Sequence, residues 1–306
     1  MFKYIIVFSS FLVLLSACGG GSGTPETASN TTPNNNTNSD PIDTPTQNNS
    51  KTFSELCAST GVLFCENFEQ GISNDWSRDG GDVQLVNGQA KQNEGSNIVE
   101  LRTYETKQTS KLLYTFANQE EVYVRYDVQY ASDYDNSGGS HGPVLGGSQS
   151  PPWGIMGTAG TRPSGSDYFV LNHEPAGLVG NDGEFNFYAY FVNMQGTPGN
   201  TWGNNFKSSL SPKPIIVPGQ WHCVEFGLRL NTAGANNTDG KAFFWVDGVQ
   251  HGNFGNFQWR TSSNLMINTL MLDSYNHFNN GPLPISSPNR VRYDNVIVST
   301  QPVGCL

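Results

Sequence analysis

One segment alternates in polarity with a period of two, and this alternation constrains the fold more than any other feature. In EEVYVRYDVQYA, every second residue from Val122 to Tyr130 is valine or tyrosine. Successive side chains of a strand point to opposite faces of a sheet, so the pattern predicts a strand with one buried face. About ten further segments read as strands, and no segment of helical length carries an apolar stripe at helical spacing. The sequence therefore predicts an all-β jelly-roll sandwich of two antiparallel sheets.

Glycine and proline content predicts how these strands are connected. The chain has 34 glycines and 17 prolines, which predict loops and turns as connections. No internal repeat and no second domain is evident, so residues 53–306 are expected to form one domain.

The net charge is −10 and no basic stripe is present, which argues against nucleic acid as a partner. We expect a monomer.

The first 17 residues predict export. Lys3 precedes an apolar run, YIIVFSSFLVLL, that is too short to span a bilayer as a mature helix and is typical of a secretory signal. The residues LSAC resemble the lipobox of bacterial lipoproteins, and this resemblance implies cleavage before Cys18 and acylation of Cys18. An ordinary signal peptide followed by a chance cysteine is the alternative. We expect a protein anchored by lipid in the bacterial cell envelope, periplasmic or at the cell surface.

Residues 18–52 are predicted to be a disordered spacer behind the anchor. From Gly19 to about Ser50 the chain is glycine, serine, threonine, asparagine and proline with almost no apolar residue. Such a composition buries too little surface to offset the entropy lost on ordering. The spacer would let the folded domain reach away from the membrane.

Four cysteines in the predicted domain are expected to form two disulfides. Cysteines of exported domains usually pair, and four of them allow three connectivities. We favour Cys57–Cys65 as a local loop and Cys223–Cys305 as a long-range link.

Several segments together resemble a known family. In chain order they are LFCENFE, EEVYVRYDVQYA, GQWHCVEFGLRLN, KAFFWVDG and VRYDNVIVST. They resemble the concanavalin A-like jelly-roll polysaccharide lyases, among them the alginate and glucuronan lyases, from about Leu63 to Thr300. The resemblance implies a concave sheet whose groove binds a polysaccharide.

The segment EFNFYAYFVN is assigned to that groove. Its phenylalanines point to one side, which we expect to be the core, and Asn186, Tyr188 and Tyr190 point to the other. A tyrosine ring covers the apolar face of a sugar while its hydroxyl bonds to sugar hydroxyls. The alternative is a surface strand whose tyrosines cover neighbouring side chains.

The resemblance also implies a set of catalytic groups. The related lyases use a Tyr-x-Tyr strand, which Tyr188-Ala189-Tyr190 matches, to handle the proton and fix the sugar. They also use a lysine on an earlier strand, where this chain offers His141. The strand beside the tyrosines carries Ser-x-Arg in the relatives and Asn172 with His173 here.

Each of these replacements has a predicted role and an alternative. Histidine titrates near neutral pH, so His141 or His173 is a candidate base. Asn172 would bond to a sugar carboxylate, and Arg162 would neutralise it from a loop. The alternatives are hydrogen-bonded structural histidines and a solvated arginine.

Two functions follow from this set. The first is cleavage of a uronic-acid-containing polysaccharide by β-elimination, in which a base removes the C5 proton and the C4 oxygen leaves. The second is a carbohydrate-binding surface lipoprotein without turnover, which the missing lysine and arginine favour. A structural or host-interaction lipoprotein is the third alternative. No Glu-x-Asp-x-x-Glu run of a glycoside hydrolase is present.

The resemblance implies a structural calcium ion as well. In such jelly rolls the first strand lies beside the last, where Glu69 and Asp294 would bind Ca²⁺ with help from Glu66 and Asn97. Carbonyl oxygens or water would complete the six to eight ligands that Ca²⁺ takes. The alternative is an uncoordinated pair of carboxylates.

Overall fold

The computed structural model describes residues 51–88, 95–136, 139–175, 183–197, 201–276 and 286–305. The predicted signal peptide, Cys18 and nearly all of the predicted spacer lie outside these residues and stay predictions. No helix in the described part of the chain is long and apolar enough to cross a membrane.

Strands dominate the described residues. In chain order they are β1 (Val62–Glu66), β2 (Trp76–Gly80), β3 (Asp82–Asn87), β4 (Asn97–Thr103), β5 (Thr109–Gln119), β6 (Glu121–Tyr130), β7 (Ser140–His141), β8 (Val144–Ser148), β9 (Tyr168–Pro175), β10 (Phe185–Tyr190), β11 (Asn204–Lys207), β12 (Trp221–Arg229), β13 (Gly240–Val246), β14 (Val249–Phe257), β15 (Ile267–Asn276) and β16 (Asn289–Ser299). A short helix, α1 (Phe53–Cys57), precedes them, and one 3-10 turn spans Trp153–Ile155.

The strands form two antiparallel sheets. Sheet A has the order β14-β13-β12-β6-β16-β4-β3, with β1 also paired to β16. Sheet B has the order β11-β10-β9-β8-β15-β5-β2, with β7 also paired to β15. Most neighbours in space are distant in sequence, as the crossing connections of a jelly roll require. The predicted all-β sandwich of two antiparallel sheets is confirmed.

The core lies between the two sheets and follows the alternation of the sequence. Every second residue of β6 from Val122 to Tyr130 is buried there, as predicted. From sheet B, Phe187 reaches across to Phe226 and Phe244 of sheet A, with ring centroids 6.1 and 5.0 Å apart. A fully buried phenylalanine stabilises a fold by about 1.5–3 kcal/mol. These contacts fix which side of β10 faces inward.

Both predicted disulfides are present. Cys57–Cys65 closes a loop of sequence separation 8 and ties α1 to β1. Cys223–Cys305 spans 82 residues and holds the chain's end against sheet A. Helix α1 starts at a capping box of Thr52 and Glu55 and buries Phe53 and Leu56.

Candidate functional site

The candidate site lies on the outer face of sheet B, the face that points away from sheet A. In the pairing of β10 with β9, Tyr188 lies opposite Asn172 and Asn186 opposite Glu174. The intervening residues of β10, such as Phe187, are in the core. Side chains that lie directly opposite each other share a face. The outer face therefore carries the predicted tyrosines together with Asn172 and Glu174.

A change of register turns His141 onto the same face. Met271 of β15 lies opposite Val144, and Tyr275 lies opposite His141. The two pairings are four residues apart in β15 but only three residues apart in the partner segment, so the alternation of the partner is shifted by one residue. His141 consequently shares a face with Tyr275. Its ring stacks on Tyr275 at 5.5 Å and 12° and on Tyr188 at 5.4 Å and 27°. The structure thus brings His141 and Tyr188 into contact.

Glu174 holds the imidazole of His141. The His141 Nδ1 lies 2.5 Å from Glu174 Oε2, and the histidine side chain is 28% exposed while the carboxylate is buried. A carboxylate at one ring nitrogen fixes the tautomer and the orientation of the imidazole. Burial alone would lower the pKa of His141, but the carboxylates of Glu174 and Asp273 outweigh it and raise that pKa.

Glu174 and Asp273 are two buried carboxylic acids near His141. Burial raises the pKa of Glu174, although the charge of His141 acts in the opposite direction. Burial also raises the pKa of Asp273 to about 7, against the lowering effect of Lys111 and His141. Lys111 lies directly opposite Asp273 and its Nζ contacts Thr109 Oγ1. The outer face therefore combines buried carboxylates with a histidine and a lysine.

The two tyrosines differ in what they can reach. Their hydroxyls lie 3.1 Å apart, and Gly203 N donates to Tyr188 Oη at 2.9 Å. Burial, with help from Tyr190, raises the pKa of Tyr188 above its usual value. Tyr190 is only 4% exposed, whereas Tyr188 is half-buried. Tyr188 is therefore the tyrosine that can contact a ligand, and the buried Tyr190 hydroxyl is hydrogen-bonded to the Tyr188 hydroxyl.

Gly203 permits this arrangement because its backbone lies on the ring of Tyr188. A Cβ at Gly203 would lie 2.6 Å from Tyr188 Cζ, which is closer than real Cβ contacts. The segment Thr201–Gly203 is held in place by the pairing of Thr201 with Gly160. Any side chain at position 203 would displace either this segment or the tyrosine.

His173 lies outside the site, and the prediction that it is a catalytic base is wrong. Its side chain lies in the core, 1% exposed, with Nδ1 3.1 Å from Tyr126 Oη. Its ring stacks on Phe185 and Phe226. Burial lowers the pKa of His173 to about 3, so the ring stays neutral. The reason is that His173 directly follows Asn172 in β9, and adjacent strand residues face opposite ways.

The predicted substrate-binding residues are mostly engaged in structural contacts. Asn186 is fully buried, and its Nδ2 donates to Asn205 Oδ1 and to Phe187 O. Asn172 is also buried and donates from Nδ2 to Tyr188 O at 2.8 Å. The guanidinium of Arg162 donates to Val192 O and Gly196 O, so it holds the loop after β10. The expectation that Asn186 faces an open groove is corrected by its burial.

Four outer-face residues were not predicted from the sequence. They are Glu174, Asp273, Lys111 and Lys207, the last lying opposite Asn186 in the pairing of β10 with β11. Counting by twos from Asn172 along β9 would have reached Glu174. No comparable signal linked Lys111 or Lys207 to the site, because strand order within the sheet is not readable from sequence.

Comparison with solved structures shows what the fold is similar to. An alginate lyase from Aplysia kurodai matches with a TM-score of 0.57 and 15% identity over 78% of this chain and 99% of that one. Alginate lyase vAL-1 from Chlorella virus matches with a TM-score of 0.55 and 13% identity, over 78% and 99%. The chain has the fold of these lyases. An endo-beta-1,4-glucuronan lyase from Trichoderma reesei matches with a TM-score of 0.50 and 16% identity, over 78% and 95%.

Sequence comparisons give no further assignment. No protein-family model matches the chain, and no curated protein sequence matches it. At these identities the structural likeness establishes the fold, and the chemistry depends on the residues of the site.

Of the two residues predicted to bind calcium, Asp294 lies in β16 of sheet A and Glu69 lies in the turn after β1. Burial raises the pKa of Asp294 to about 8, with Asp127 and Glu69 adding to the shift. Glu69 Oε1 accepts from Ser96 N and Asn97 N. Among the described residues, no group of three or more His, Cys, Asp or Glu side chains is arranged to hold a metal ion. Backbone carbonyls or water would have to supply most ligands.

Proposed function

We propose that the protein cleaves a uronic-acid-containing polysaccharide by β-elimination on the outer face of sheet B. The observation that carries the proposal is the stacking of His141, held at Nδ1 by Glu174, on Tyr188. The likeness to solved alginate and glucuronan lyases supports it, and one of these is described in complex with alginate trisaccharide. The predicted signal would place the activity in the cell envelope, which fractionation of the producing cells checks.

We assign the two proton transfers to His141 and Tyr188 as part of this proposal. With its proton at Nδ1 on Glu174, neutral His141 offers Nε2 as the base that removes the C5 proton. Electrons then form the C4=C5 double bond and the C4–O bond breaks. Tyr188, whose raised pKa keeps its proton at neutral pH, donates that proton to the leaving oxygen. General acid–base catalysis of this kind contributes about 10²–10⁴-fold.

Glycan binding without turnover is the second candidate. The low exposure of Tyr190 and the engagement of Asn172 with a backbone carbonyl favour it, because they leave fewer groups for the reacting sugar. His141 and Tyr188 would then form an aromatic surface on which a sugar packs. This candidate uses the same face of sheet B.

One assay separates the candidates. The purified protein is incubated with alginate, glucuronan and other polyuronates while the ultraviolet absorbance of the unsaturated product is followed. The elimination proposal predicts a steady rise with at least one polymer. Retention on an affinity gel without any rise would support the binding candidate instead. Absence of both binding and absorbance change would contradict both.

The pH dependence of turnover tests the pair His141–Glu174. Since the base form of His141 is neutral, activity should fall as the pH drops through the pKa of His141. Glu174→Gln removes the negative charge that raises this pKa, so the acidic limb should move to lower pH, with roughly 10-fold lower maximal turnover. The pH–rate profile measures the shift. Glu105→Gln, in an exposed loop, is the control, and an unmoved acidic limb in Glu174→Gln would contradict the pairing.

We also propose that Glu69 and Asp294 bind a structural calcium ion. A buried carboxylate at Asp294 needs a positive partner, and among the described residues the buried Asn295 Oδ1 has no hydrogen-bond partner. Saturating Ca²⁺ should raise the melting temperature by roughly 5 °C, because a ligand that binds only the folded state stabilises it. Asp294→Asn should abolish the shift seen in thermal melts with calcium and with chelator. Equal melting temperatures of the unaltered protein in both conditions would rule out the ion.

A further inference from the structure

We propose that Trp202, Asn205 and Lys207 form a subsite, called the edge subsite here, for an anionic sugar unit next to the unit held at Tyr188. The inference deepens the proposed function and rests on it. It assigns recognition of a uronate carboxylate to the outermost strand of sheet B. No sequence pattern indicated any of these three residues.

The pairing of β11 with β10 puts the polar members of the subsite on the outer face. Asn205 lies opposite Tyr188 and Lys207 opposite Asn186. Directly opposite side chains have Cβ atoms about 4.5–5.5 Å apart. Both residues are exposed, although Asn205 Oδ1 also accepts from Asn186. The outer face thus continues beyond Tyr188 into a strand that carries an amide and an ammonium group.

Phe206 fixes this orientation. It lies between Asn205 and Lys207 and points inward, with its ring centroid 4.9 Å from Phe257 and 6.0 Å from Phe191. A strand whose central aromatic residue is packed in the core cannot rotate its polar neighbours off the outer face. The position of Lys207 is therefore a property of the fold.

Trp202 supplies an aromatic surface at the same edge. Its side chain is 58% exposed, the highest exposure among the large hydrophobic residues that the structure describes as exposed. It directly precedes Gly203, whose N–H binds the Tyr188 hydroxyl, and directly follows Thr201, which is buried and paired with Gly160. An exposed indole held on both sides by ordered backbone is a suitable surface for the apolar face of a sugar ring.

The combination of groups selects the ligand. An indole alone would accept neutral and charged sugars alike, whereas the Lys207 ammonium favours a sugar that carries a carboxylate. The protein has a net charge of −10, so a polyuronate meets repulsion on average and needs local cations. Lys207 places such a cation on the same face as Tyr188 and His141.

Affinity measurements with two matched ligands test the subsite. The ligands are a polyuronate oligosaccharide and its carboxyl-reduced neutral counterpart, titrated calorimetrically against the full protein. Lys207→Ala should weaken polyuronate binding by roughly 5-fold at low salt, and should leave binding of the neutral ligand unchanged. Lys207→Arg should retain binding. Trp202→Ala should weaken binding of both ligands by roughly 5- to 10-fold.

Matched controls lie on the outer face of sheet A. Lys241→Ala and Trp221→Ala remove the same side-chain types from β13 and β12 and should not change either affinity. Unchanged polyuronate affinity in both Lys207→Ala and Trp202→Ala, with turnover of the unaltered protein intact, would overturn the edge subsite and leave the proposed function standing. If Lys207→Ala weakens the affinity for both ligands equally, recognition of the carboxylate by Lys207 is overturned. If the unaltered protein binds no polyuronate, the subsite and the proposed function fail together.

Discussion

Replacement of His141 by alanine should lower the turnover of a polyuronate by about 10³-fold while nearly preserving its affinity. The reason is that His141 lies partly exposed on the outer face, in ring contact with Tyr188, and neighbouring carboxylates raise its pKa. Initial rates from the ultraviolet absorbance of the product give the loss, and calorimetric titration gives the affinity.

His251→Ala is the matched control for this change. His251 lies in β14 of sheet A, near Ser208, so its loss should leave turnover within about 2-fold of the original. A thermal melt of each variant establishes that the fold is intact. Turnover that survives in His141→Ala would show that His141 is not the base and would contradict the assignment of roles in this site.

Replacement of Tyr188 by phenylalanine should lower turnover by about 10²-fold and affect binding much less. The variant keeps the ring that stacks on His141 and loses only the hydroxyl that donates to the leaving oxygen. Tyr190→Phe should have a smaller effect, about 10-fold, because the buried Tyr190 hydroxyl acts through its contact with Tyr188. Turnover measured on the same polymer ranks the two variants.

Tyr168→Phe controls for the removal of a tyrosine hydroxyl from sheet B. Tyr168 lies in β9, and its hydroxyl contacts Thr161. Turnover in this variant should match that of the original protein. A larger loss of turnover in Tyr190→Phe than in Tyr188→Phe would contradict the order predicted from the burial of Tyr190. It would mean that Tyr190 reaches the substrate in solution.

Sequence patterning predicted the fold because the alternation of β6 and β10 reports burial directly. Each inward-pointing residue from Val122 to Tyr130 is in the core, as are Phe185 and Phe187. The same alternation explains why the prediction that His173 faces the site is wrong. Asn172 and His173 are neighbours in one strand, so they cannot both face a ligand on the same side. The alternation places His173 with Phe169 and Leu171, which are core residues.

The contact between His141 and Glu174 was beyond sequence reasoning. The two residues are 33 positions apart, and their meeting depends on the order of β9, β8 and β15 in sheet B. It also depends on the extra residue in β15 that turns His141 outward. Neither feature leaves a local pattern, because register between distant strands is set by packing of the whole sheet. Lys207 escaped for the same reason.

We expect a polyuronate to bind on the outer face of sheet B with its reacting sugar against the exposed edges of the stacked His141 and Tyr188 rings. A crystal structure of the His141→Ala variant with a uronate oligosaccharide tests it most directly. We expect one sugar ring against Tyr188, with its C5 facing the position that the imidazole occupied and the chain continuing toward Trp202. An oligosaccharide bound on sheet A, or on sheet B away from Tyr188, would contradict the claim.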